Sequence, residues 1–112
     1  MKAYTDLEQS KKLAEILPIE TADMRFCFSH TLGGRITGHY PMIGREPSMG
    51  TVPCWSLAAL LSVLPRETRL LKSATDDTYH CDCSKGNINE WFGNPVDACY
   101  EMIIELHKQK LL

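Results

Sequence analysis

The stretch VPCWSLAALLSVLP, residues 52–65, decides how the chain is to be assembled. Between Pro53 and Pro65 lie eleven residues, Cys54 to Leu64, with no charge and only two serines. Placed on a helix, Leu57, Leu60, Leu61 and Leu64 fall at i, i+3, i+4 and i+7 and share one stripe. Such a stripe builds a core face. Ser56, Ala58, Ala59 and Ser62 lie opposite, on a face that meets water cheaply or lets another backbone approach. Trp55 is the only large group outside the leucine sector. A membrane span is excluded by length, because eleven residues rise ~16 Å against a hydrocarbon core of ~30 Å. We read the segment as a core helix. Tryptophan is a favoured interface anchor, so Trp55, with Ala58, Ala59 and Ser62 beside it, forms the candidate interface.

Upstream, Thr5-Asp6-Leu7-Glu8 has the capping-box pattern of a helix start, and Pro18 closes that helix. Met24, Phe26 and Phe28 alternate with Arg25, Cys27 and Ser29, the period of a strand with one buried face. Gly33-Gly34 turns the chain into a second strand, Arg35 to Tyr40, where Pro41 marks a sheet edge or the strand's end. Residues 43–51 are expected to be a loop. Downstream, Arg69 to Ala74 and Thr78 to Cys83 form a second hairpin around Thr75-Asp76-Asp77. Asn94-Pro95 then caps a last helix, with Val96, Cys99, Ile103 and Leu106 on one face. The predicted order is helix, hairpin, helix, hairpin, helix. This is a two-layer α+β fold in which an antiparallel sheet of about four strands carries three helices, within a single globular domain over residues 1–112.

With 112 residues, 44% hydrophobic and 23% charged, the chain can fold on core packing without metal or disulfides. The net charge of −2 gives no bulk attraction for nucleic acid. MKAYTDLEQS shows no basic region followed by an apolar run, and no segment approaches the ~20 apolar residues of a membrane span. The expectation is a cytoplasmic protein with no membrane partner. Five cysteines, an odd number, then read as reduced thiols.

His80-Cys81-Asp82-Cys83 contains zinc-ligand chemistry, but zinc knuckles place two sulfurs at a turn with Cys-x2-4-Cys spacing. On a strand, Cys81 and Cys83 face one way while His80 and Asp82 face the other. Two small apolar side chains under a sheet explain the cysteines better than metal, and no metal or other cofactor is expected. Cys54, near a helix start, is the best placed of the five to be a reactive thiol, although no catalytic residue is assigned. Gly33-Gly34-Arg35 lacks the helix start and lysine of a phosphate loop. Arg66, Arg69 and Lys72 form a small basic strip on a solvated edge. Trp91-Phe92 is read as a hydrophobic staple before Asn94 in preference to an aromatic pocket with Tyr40.

PCWSLAALLSVLP and NPVDACYEMIIELHKQKLL, with DLEQSKKLAEILPIETADM, resemble stretches of small uncharacterised proteins from anaerobic gut bacteria and their phages or prophages. Together they cover about half of the chain. The resemblance implies an intracellular protein of a mobile or host genome and brings no activity, cofactor or catalytic residue with it. The functional expectation is a small binding or accessory protein of possible phage derivation, acting through protein contacts, a homodimer among the options. The alternative is a thiol- or metal-dependent enzyme using Cys54 or His80-Cys81-Asp82-Cys83. A nucleic-acid-associated factor is the weaker alternative.

Overall fold

A computed structural model describes residues 2–44, 51–86 and 88–112. The chain is α+β. In order it forms α1 (Leu7–Ile16), a short 3-10 turn (Ile19–Thr21), β1 (Met24–His30), β2 (Ile36–Ile43), β3 (Val52–Cys54), α2 (Leu57–Val63), β4 (Arg69–Lys72), β5 (Tyr79–Asp82) and α3 (Pro95–Lys108). Both predicted hairpins and all three predicted helices are present. The single sheet of about four strands is not: five strands divide into an antiparallel sheet of order β2-β1-β3 and a separate pair β4-β5.

Two contacts distant in sequence accompany the division. β3 occupies the second edge of β1, pairing Met24 with Cys54 and Phe26 with Val52. β5 is closed by Phe92, which exchanges backbone bonds with Tyr79 at 2.7 and 2.8 Å. Each sheet thus has one edge occupied by a segment distant in sequence.

The first helix is capped one residue later than expected. Asp6 accepts from the Gln9 amide at 2.8 Å, and the Gln9 side chain accepts from the Asp6 amide at 3.1 Å. Thr5 is drawn inward instead. Its amide donates to the Trp55 carbonyl at 2.9 Å, and its hydroxyl accepts from the Trp55 amide at 3.2 Å and lies 2.8 Å from the Ser10 hydroxyl. Drawn into this buried network, the Thr5 hydroxyl does not cap the helix.

Val52–Cys54 is strand, so α2 is shorter than the eleven residues expected and begins after the Ser56 cap, whose hydroxyl accepts from the Ala59 amide at 3.2 Å. Asp23 holds the Ser56 amide at 2.9 Å and also bonds its hydroxyl. This anchoring sets the rotation of the helix. Ala59, Leu60 and Leu64 are buried, whereas Leu61, expected in the core stripe, is 38% exposed. The core face therefore leans towards Ala59, a residue small enough to sit close to its neighbours.

α3 forms as its sequence predicts. The Asn94 side chain accepts from the Asp97 amide at 2.8 Å and Pro95 occupies the first turn. Val96, Cys99, Met102, Ile103 and Leu106 are fully buried, packing with Leu13, Trp55, Leu60, Cys81 and Cys83 into one core. No helix among the described residues is long and apolar enough to cross a membrane.

The molecule measures 49 × 31 × 20 Å with a radius of gyration of 15.2 Å. A compact chain of this length would have about 13 Å. The excess agrees with a β1-β2 hairpin that extends beyond the shared core.

Candidate interaction surface

Side-chain alternation sorts the β2-β1-β3 sheet into two faces. Register pairing puts Met24, Phe26 and Phe28 with Ile43, Pro41, His39 and Cys54 on one face. That face is partly covered: Tyr4 lies edge-on to Phe26 with ring centroids 6.1 Å apart, and Cys54 meets Thr5 beneath α1. The opposite face carries Arg25, Cys27 and Ser29 with Met42, Tyr40, Gly38 and Pro53. Arg25 is the only Arg, Lys, Asp or Glu in these three strands.

The backbone of β2 has an equally definite parity. Gly44 donates its amide to the Asp23 carbonyl at 2.9 Å, continuing the β1-β2 ladder by one step. Alternation then turns the amides of Met42 and Tyr40 towards β1 and that of His39 outward, until the register shift between Ser29 and His30 interrupts the alternation at Thr37. Pro41 falls on the outward set, where its missing donor costs no ladder bond, as predicted for an edge. Among the described residues, no strand pairs with this outer edge. The connecting turn is as expected: Gly34, at φ +82°, donates to the Thr31 carbonyl at 2.9 Å, and Thr31 donates to the Arg35 carbonyl at 2.8 Å. Glycine is the residue for which that backbone carries no steric cost.

Apolar exposure is concentrated here. Of eleven exposed large hydrophobic residues among those described, five lie within residues 32–43: Leu32, Ile36, Tyr40, Met42 and Ile43. Tyr40 and Met42 stand on the Arg25-Cys27 face of a strand without a charged residue, while Ile36, paired with His30 beyond the register shift, stands on the other face. Natural edge strands commonly carry lysine or other charges that block association, and this one has none.

The residues singled out in the sequence lie elsewhere. Trp55 is fully buried with its indole bonded to Thr21, and Ala59 is buried beside it, so neither is available as an anchor. Ala58 and Ser62 are exposed and border a shallow depression with Glu20 and Asp23. Cys54 lies in β3 ahead of the helix cap; burial raises its thiol pKa against the opposing hydrogen bonds from Thr5 and Ser10. The expected helix-start activation is therefore reversed. Cys81 and Cys83 lie in the core, while His80 and Asp82 point away, as strand alternation requires. His80 Nδ1 meets the Glu90 carbonyl at 3.0 Å and its ring lies 5.2 Å from that of Trp91; Asp82 pairs with Arg69. The Cys99 thiol is pushed up by its hydrogen-bonded neighbour Cys81 and by burial, which keeps it protonated. Among the described residues no three His, Cys, Asp or Glu side chains converge as ligands.

Phe92 packs on the core as the staple reading requires, but Trp91 is half exposed against His80. Tyr40 belongs to the other sheet, so the three do not form one aromatic pocket. Arg69 is neutralised by Asp82 and Lys72 lies 6.0 Å over the Tyr79 ring.

The sequence predicted β2 as the strand that returns after the Gly33-Gly34 turn. The exposure of Tyr40 and Met42 was missed because alternation marks two faces without saying which one the rest of the chain covers. Comparison with protein families, curated proteins and solved structures finds no match to this chain.

Proposed function

We propose that this is a small binding or accessory protein that works through protein-protein contact, with the β1-β2 hairpin as its contact element. The observation that carries this reading is the coincidence on β2 of a backbone edge that no strand among the described residues pairs with and the exposed side chains Tyr40 and Met42 on one face and Ile36 on the other. An edge of this kind accepts an additional strand: backbone bonds supply affinity, and alternating side chains supply selectivity. The contrast with the cysteines supports the same reading, since Cys54, Cys81, Cys83 and Cys99 are buried in packing positions.

The test is a double variant, Ile36→Lys with Tyr40→Lys. Both side chains are exposed, so the fold should melt within a few degrees of the wild type while protein partners recovered by the wild type are lost. Recovery of the same partners by a correctly folded double variant would refute the reading.

A further inference from the structure

We infer that the hairpin's partner is a protein segment lying extended along β2, with an aspartate or glutamate set against Arg25 and an apolar side chain against Met42. This rests on the reading of the hairpin as the contact element and names the chemistry it takes.

Arg25 is the residue that points to an anion. It is partly exposed at the centre of the sheet, between Met42 of β2 and Pro53 of β3, with Cys27 and Tyr40 next on the same face. The ion pairs among the described residues, Lys2 with Asp6 and Asp97 and Arg69 with Asp82, do not involve it. Its Nε is buried and reaches no acceptor among the described residues. A cation partly withdrawn from water onto an apolar surface is costly without a counter-charge. A carboxylate is the planar group that a guanidinium binds through two parallel hydrogen bonds.

The guanidinium also lies where a segment beside β2 meets it. A Cβ added at Gly44 would stand 3.0 Å from Arg25 Nη1, so the arginine crosses from β1 to the row of β2 at a residue with no side chain of its own. Gly44, at φ +116°, holds a backbone conformation that favours glycine. Met42 and Tyr40 continue the same row at alternate positions, before the register shift interrupts it. The amides of this row turn towards β1, so an antiparallel strand added outside β2 meets it at the non-bonded positions, where side chains stand closest. His39 and Ile43 supply outward amides and carbonyls to that strand, and Pro41 a carbonyl alone. Alternate residues of the added strand then fall beside Gly44, Met42 and Tyr40 in turn. The complementary pattern is an acidic residue followed at the second and fourth positions by apolar ones.

The experiment sorts phage displaying random peptides of about ten residues, the length of a long strand, on wild type, on Arg25→Glu and on Ile36→Lys with Tyr40→Lys. The wild type should enrich Asp or Glu two residues before an apolar one, and Arg25→Glu should enrich Lys or Arg in that place. Replacing the acidic residue of a selected peptide by its amide should weaken binding to the wild type at least about tenfold, as for a charge-assisted pair, and leave binding to Arg25→Gln unchanged. The neutral variant serves if charge reversal prevents folding. Loss of structure alone does not exchange one charge preference for the other.

Absence of acidic enrichment overturns the inference, as does the same acidic enrichment on folded Arg25→Gln. Peptides without acidic preference that the double variant no longer binds would refute this partner chemistry and leave the proposed function standing. Peptides bound equally by the wild type and the folded double variant would refute both. A library that enriches nothing also overturns the inference, and partner recovery by the double variant then decides the proposed function separately.

Discussion

The indole Nε1 of Trp55 donates to the Thr21 hydroxyl at 2.9 Å, tying the residue before the α2 cap to the turn that leads into β1. The ring is fully buried. Trp55→Ala should therefore cost about 3–5 kcal/mol, the range for deleting a large core aromatic. Trp55→Phe should cost less, because it keeps much of the packing and loses the hydrogen bond. Denaturant midpoints measure both; an unchanged midpoint for Trp55→Ala would remove this residue from the core.

Asp97 accepts from Lys2 and Gln9, each at 2.8 Å, and its other oxygen accepts from Asn94 at 2.8 Å. Burial opposes its ionisation, but these hydrogen bonds and the Lys2 charge outweigh burial and hold the carboxyl below the ordinary value of 3.8. A lowered native pKa stabilises the fold above the unfolded pKa, and that contribution is lost as pH falls through the native one. Asp97→Asn should cost on the order of 1 kcal/mol at neutral pH, through lost charge near the start of α3. Melting curves of wild type and variant should converge below the ordinary aspartate range; a constant difference at all pH values would contradict the ionic account.

A Cβ added to Gly86 would stand 2.8 Å from Leu106 Cδ2 and 2.9 Å from Met102 Sδ, both in fully buried side chains. Gly86→Ala should cost about 1–3 kcal/mol through overpacking. At Gly93 nothing lies within 4 Å of the same addition, so Gly93→Ala is the matched control and should change stability little. Equal denaturant midpoints for the two variants would show that the turn after β5 yields freely.

Cys27 is partly exposed, whereas Cys54, Cys81, Cys83 and Cys99 are buried, and burial raises the pKa of Cys54. Alkylation under native conditions should label Cys27 first, by at least about tenfold, because the thiolate is the reacting form and reagent must reach it. Peptide mapping of a time course reads the order directly. Fast labelling of Cys54 in folded protein would revive its role as a reactive thiol.

These outcomes also mark what the sequence reveals. Asn94-Pro95 and the spacing of Val96, Cys99, Ile103 and Leu106 specify α3 through contacts within one helix, so it is legible locally. Val52–Cys54 becomes strand only because β1 offers it an edge, and three residues including a proline carry little strand signal of their own. Likewise Leu61 and Ala59 exchange their expected environments because Trp55 and Asp23 fix the start of α2 from outside it. Tyr40 was visible as an aromatic near a proline. Its exposure beside Met42 depends on which sheet face α1 covers, and that is a tertiary choice.

The position of α3 has a consequence in time. Its buried residues Val96, Cys99, Met102, Ile103 and Leu106 close the surfaces supplied by α1, α2 and β5, all of which leave the ribosome first. Leu13, Trp55, Leu60 and Cys81 therefore have no lid until residues 96–106 have emerged. During synthesis the chain behaves as an unfinished core, and a stall or truncation before residue 96 would release a species with its apolar interior exposed, subject to chaperone capture or proteolysis.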